Sequence, residues 1–94
     1  MVSDTIAALQ ATIQNRRDHP REGSYTCHLF AEGEAEILKK VGEEATEVIV
    51  AAALQNDERM VYESADLIYH LLVALTAKGL SWQEVESELR RRFK

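Results

Sequence analysis

The chain has 94 residues, 46% of them hydrophobic, and a formal net charge of −5. That length holds one compact core and falls short of two, so residues 1–94 are expected to form a single domain. The acidic balance speaks against a nucleic-acid surface, which needs clustered excess Lys and Arg, and implies that an anionic ligand would be met through a metal.

Cys27 is the only cysteine, so no intrachain disulfide can form and a reducing cytoplasm fits best. No apolar run approaches the roughly 20 residues that span a bilayer, and the N-terminus lacks a basic stretch followed by an apolar one. Neither membrane insertion nor export is expected.

Ser3 or Asp4 can cap a first helix whose apolar residues Ile6, Leu9 and Ile13 recur at helical spacing, ending near Arg17. The only proline, Pro20, stands among polar residues between Asp18 and Gly23 and predicts a loop. Ser24 can cap a short helix through Leu29 and Phe30, with Gly33 as the left-handed residue that ends it.

The strongest periodicity follows. Leu38, Val41, Ala45, Val48 and Ala52 alternate in steps of three and four, the pattern of a bundle seam, and predict a helix from about Glu34 to Gln55. Asn56-Asp57 supplies a break and a cap, and Val61, Ala65, Ile68, Leu72 and Leu75 then repeat the pattern to Lys78. So short a connection makes the two helices an antiparallel hairpin. Gly79 can end the second of them, and Ser81 to Glu84 matches a capping box for a last helix carrying Trp82, Val85, Leu89 and Phe93. The expected architecture is all-α, a helical bundle built on a long antiparallel hairpin. Because a small domain cannot cover two such seams alone, dimerisation is expected to complete it.

Acids punctuate both long helices. Glu44 and Glu47 are three apart, with Lys40 one turn earlier, and Glu63 and Asp66 stand in the same relation with His70 one turn on. In an antiparallel hairpin these stripes converge, and four hard carboxylates suit Mg²⁺ or Mn²⁺ better than zinc. One acid pair alone is more often a solvated face. Here the second pair lies on a helix that is apolar around most of its circumference, from Met60 to Leu75, where unpaired like charges would repel without a cation. Glu44, Glu47, Glu63 and Asp66 are therefore assigned to the metal.

Glu43 lies off the seam and cannot share Glu44's position; it is left as a base, a supporting group or a surface acid. Arg16, Arg17, Lys39 and Lys40 are the candidates for substrate phosphate, since the acids alone would repel an anion. His70 is read as a satisfied core histidine, and Cys27 and Trp82 as packing residues.

Glu43-Glu44-Ala45-Thr46-Glu47, followed after fifteen residues by Glu63-Ser64-Ala65-Asp66, resembles the acidic signature of the MazG-like all-α nucleotide pyrophosphohydrolases. Ser24-Tyr25-Thr26, Leu38 to Ala45 and Ala65 to Leu72 narrow the resemblance to the phosphoribosyl-ATP pyrophosphohydrolase family, over nearly the whole chain. The resemblance implies Mg²⁺-dependent hydrolysis of phosphoribosyl-ATP to phosphoribosyl-AMP and pyrophosphate, the second step of histidine biosynthesis. It also implies a cytoplasmic homodimer or larger assembly. Glu43 and Glu44 are the candidate catalytic residues. Many relatives carry a fused cyclohydrolase, for which 94 residues leave no room. Two other functions are weighed against this one: a house-cleaning deoxynucleoside triphosphate pyrophosphohydrolase with the same metal site, and a non-catalytic helical dimerisation module.

Overall fold

A computed structural model describes residues 2–93, and side chains from residue 5 onward. Five helices and no strand are found among the described residues: α1 (Val2–Asp18), α2 (Tyr25–Glu32), α3 (Glu34–Leu54), α4 (Asp57–Ala77) and α5 (Trp82–Arg92). The Ser3 and Asp4 side chains, expected to cap α1, lie outside the described residues.

Local chemistry sets the boundaries. The Ser24 side chain accepts from the Cys27 N–H to start α2, and the Asn56 side chain accepts from the Arg59 N–H to start α4. Gly33 serves as the last cap of α2 and the first of α3 at once. Its φ of 100° suits glycine, but its ψ of 173° is extended, so it forms a sharp corner instead of the expected left-handed cap. At the far end of α4, the Gly79 N–H donates to Thr76 O and the Leu80 N–H to Leu75 O. That pair is a Schellman closure. A full capping box between Ser81 and Glu84 then opens α5.

The α3–α4 hairpin turns on Gln55 and Asn56 alone, and its seam differs from the expected one. Ile37 and Ala51 are buried on α3, seven residues either side of Glu44, whereas Leu38 is 48% exposed and Ala52 is exposed. On α4, Leu72 is buried and Ile68 and Leu75 pack against the core as expected, but Glu63, His70 and Val73 are buried as well, while Val61 is 70% exposed and Ala65 is exposed. On α3 a rotation of one residue, about 100°, separates the two seams, whereas on α4 the expected seam holds from Ile68 to Leu75 and departs only at Val61 and Ala65. The reason is that the acids themselves occupy seam positions, which a search for apolar periodicity passes over.

The core gathers around the other end of α4. Ile13 of α1, Leu29 of α2, Ile37 of α3 and Leu72, Val73 and Ala74 of α4 form one buried cluster, with Ile6, Leu9, Phe30 and Trp82 packed against it. The turn-proximal end of the hairpin has no such cover: Ile49, Leu54, Met60, Val61 and Tyr62 are all exposed. The radius of gyration of 14.2 Å exceeds the about 12 Å expected of a compact chain this long, as an uncovered hairpin requires. Helix α5 buries no residue completely; Trp82 packs against the core, while Leu89 and Phe93, two of the apolar residues it was expected to carry, are exposed.

Gln10 does much of the fastening of α5. It is 5% exposed; its Nε2 donates to Thr76 Oγ1 and Leu80 O, and its Oε1 accepts from the Trp82 N–H at 2.7 Å. Gln10→Ala leaves those partners unmatched, so it should cost about 1–3 kcal/mol in urea unfolding, with a change in tryptophan emission as α5 loosens.

Candidate functional site

The antiparallel hairpin sets Glu44 of α3 against Glu63 and Asp66 of α4. One carboxylate oxygen from each lies within 4.8 Å of the others. Glu63 is 6% exposed and the Glu44 side chain 13%, so two of these charges have little access to water. Each of those two has a cation one turn before it on its own helix: Lys40 Nζ is 3.9 Å from Glu44 Oε2, and Arg59 Nη2 is 2.6 Å from Glu63 Oε2. Among the described residues no cationic group pairs with Asp66. The donors are all hard oxygens with no thiolate, a set that fits Mg²⁺ or Mn²⁺.

Glu47, the fourth acid of the expected set, is exposed and its carboxylate is not part of this group. Glu43 stands on the outer side of α3, paired with Lys40 at 3.4 Å and Lys39 at 4.0 Å. Lys39 is exposed and also reaches Glu36. Lys40 is more enclosed; burial pushes its pKa down, but Tyr25, Glu43 and Glu44 outweigh that and hold it above the usual lysine range. The two arginines of α1 are placed differently. Arg17 pairs with Asp18 and donates to the Thr76 carbonyl, ten residues beyond Asp66, about 15 Å along α4. Arg16 donates to Asn15, and its carbonyl accepts from the Cys27 thiol. The structure thus brings Lys40 to the acids and leaves Arg17 fastening α1 to the far end of α4.

Beside Lys40, α2 leans on α4 through polar contacts between aromatic rings. The Tyr25 hydroxyl is 3.0 Å from His70 Nε2, and His70 Nδ1 is 2.8 Å from the Asp66 carbonyl. Since a carbonyl only accepts, Nδ1 carries a proton, and with both ring nitrogens bonded His70 is a fully partnered core histidine. Thr26 and Tyr69 share a hydrogen bond alongside, and burial raises the Tyr69 pKa despite it. Cys27 packs under the preceding loop, its sulfur taking the Arg21 N–H.

Arg59 is the site residue that sequence reasoning missed. Its signal was present: Arg59 and Glu63 stand four apart on a helix, the spacing at which opposite charges meet. The Tyr25 to His70 link joins residues 45 apart in sequence and left no local trace.

With Asp66 uncompensated among like charges, its charge should cost stability when no divalent ion is present. Asp66→Asn should therefore leave the metal-free thermal midpoint unchanged or slightly raised, an effect within about 1 kcal/mol. Glu63→Gln should instead lose about 0.3–0.5 kcal/mol through the broken Arg59 pair. Calorimetry in excess chelator checks both.

Residues 6–93 match the family model described as phosphoribosyl-ATP pyrophosphohydrolase. Among curated relatives, the phosphoribosyl-ATP pyrophosphatase of Metallosphaera sedula is 48% identical over 93 residues, covering 99% of this chain and 100% of that protein. The one from Lactiplantibacillus plantarum is 50% identical over 84 residues, covering 89% and 79%. The histidine biosynthesis bifunctional protein HisIE of Pyrococcus furiosus is 55% identical over 89 residues, 95% of this chain but only 41% of that longer protein. A match this extensive, over a helical hairpin bearing the acid group, shows that the chain belongs to the phosphoribosyl-ATP pyrophosphohydrolase family.

Proposed function

We propose that this chain, whose relatives are named phosphoribosyl-ATP pyrophosphatases, hydrolyses phosphoribosyl-ATP to phosphoribosyl-AMP and pyrophosphate and does so with Mg²⁺ or Mn²⁺. The observation that carries the metal is the convergence of Glu44, Glu63 and Asp66 to within 4.8 Å in a partly dry seam. Three carboxylates so close need a cation, and Lys40 and Arg59 supply charge to only two of them. Glu47, one turn from Glu44, joins the set by a change of side-chain rotamer.

When bound, a divalent ion neutralises phosphate charge and eases deprotonation of the attacking water. The remaining work falls to the chain. Lys40, held protonated beside Glu43 and Glu44, offers a phosphate oxygen a positive charge at the edge of the acid group. Glu43, which bonds Lys40 but stays outside the seam, orients that lysine or accepts a proton from water. The hydrolysis needs no covalent intermediate, and the site offers no paired nucleophile and base; Cys27 lies under the Pro20 loop.

A homodimer completes the fold in this proposal. Ile49, Leu54, Val61 and Tyr62 form an apolar surface around the hairpin turn that a single chain leaves in water. A second copy covers it, and the expected seam residues Leu38, Ala52, Val61 and Ala65 then face the partner. Sedimentation at micromolar concentration should give at least twice the mass of the chain; a monomer would refute the assembly.

The central test measures pyrophosphate release from phosphoribosyl-ATP beside a panel of nucleoside triphosphates, with Mg²⁺ or with excess chelator. Release should be confined to the metal-containing samples and favour phosphoribosyl-ATP by well over about tenfold in kcat/KM. Equal or better hydrolysis of deoxynucleoside triphosphates would redirect the substrate assignment. Glu47→Gln and Asp66→Asn should each lower turnover by about a hundredfold or more, whereas Glu32→Gln on exposed α2 surface should not. Near-normal turnover of Asp66→Asn at limiting Mg²⁺ would remove the acid group from the mechanism.

A further inference from the structure

Two cations stand one turn before the seam acids, and they differ in how they are held. Lys40 is shared between Glu43 at 3.4 Å and Glu44 at 3.9 Å, with 26% of its side chain exposed. Arg59 is committed to a single carboxylate at 2.6 Å, yet 47% of its side chain is exposed. Its guanidinium carbon also lies 4.5 Å from the centre of the exposed Tyr62 ring. The Arg59 backbone is fixed independently, because its N–H is the one that caps α4 on Asn56. The side chain can therefore move without disturbing the helix.

We infer that Arg59 is a built-in counter-ion that a divalent cation displaces from Glu63, and that the displaced guanidinium then binds the phosphate chain of the nucleotide. The inference rests on the metal site proposed above. Glu63 is 8% exposed on its side chain, so without a metal its charge needs a partner, and Arg59 provides one. A divalent ion drawn to the same carboxylate meets the guanidinium at contact distance, and two positive charges there repel. The guanidinium half of the pair is the exposed one, so it is the partner that can leave into water in that contest. The Tyr62 face offers the released head a resting place at the rim, where cation and ring attract each other. A planar, permanently charged fork at the mouth of a carboxylate site suits phosphate oxygens. The acids thus have a cation before the metal arrives, and the substrate gains one afterwards.

The test uses the full chain and four proteins: wild type, Arg59→Met, Arg59→Lys and Asp66→Asn, with circular dichroism confirming the fold of each. Mn²⁺ binding is followed by calorimetry and by the electron spin resonance of free Mn²⁺. Steady-state hydrolysis of phosphoribosyl-ATP is measured at saturating Mg²⁺. Removing the competitor should tighten Mn²⁺ binding by about three- to tenfold in Arg59→Met, while KM rises by about tenfold and kcat changes less. Arg59→Lys keeps the charge and should lie nearer wild type in both. Mn²⁺ affinity unchanged or weakened in Arg59→Met overturns the inference, and so does an unchanged KM. The Asp66→Asn arm separates the two levels. If it binds Mn²⁺ as wild type does, the metal site itself falls and the inference with it. If it loses Mn²⁺ while Arg59→Met matches wild type, the metal site stands and only the role of Arg59 falls.

Discussion

The structure depends on placing carboxylates in a seam that two helices would otherwise fill with apolar side chains. Glu44 lies midway between buried Ile37 and Ala51, and Glu63 one heptad before buried His70. Each acid forgoes water and sits near its neighbours, an arrangement that ordinary packing would not favour. The rest of the domain makes it tolerable. Cations one turn away offset two of the charges, and a dry cluster at the opposite end of α4 supplies cohesion that the acid end lacks.

That division runs along the length of α4. Its last turns, from His70 to Thr76, are covered by α1, α2 and α3, while its first turns are bare. The polar contacts of α2 fall between the two regions: Tyr25 bonds His70, whose other nitrogen bonds the carbonyl of Asp66. One acid of the cluster is thereby tied through its backbone to a different helix, and the pose of the seam is coupled to that of α2.

Helix positions, caps and the two-residue turn were legible in the sequence because each is written in local residues: Ser24, Asn56, Gly79 and the Ser81 box act where they stand. The convergence of Glu44 with Glu63 and Asp66 followed from helical spacing plus antiparallel pairing. The seam on α3 was off by one residue, while that on α4 held from Ile68 to Leu75. Ile37 and Leu38 are both apolar, and only the burial of an acid decides which of them faces inward. The apolar count favoured Leu38, and the acid at position 44 selected Ile37. Arg17 was similarly ambiguous. A terminal arginine next to a loop suits phosphate as well as a carbonyl, and its partner, the Thr76 oxygen, lies 59 residues away.

The corner at Gly33 has a mechanical consequence. A single residue closes α2 and opens α3, so the connection has no slack, whereas the six residues from His19 to Ser24 on the other side of α2 form an open loop. Beyond its own chain neighbours, no atom lies within 4 Å of where a Cβ would stand at Gly33, so the strictness there is one of dihedral angle and not of space. A chain lengthened by one residue at that corner would turn α2 about its own axis and carry Tyr25 off His70. The same insertion near Pro20 would be absorbed in the loop. Changes of length in this fold are thus tolerated on one side of α2 and transmitted to the acid seam on the other.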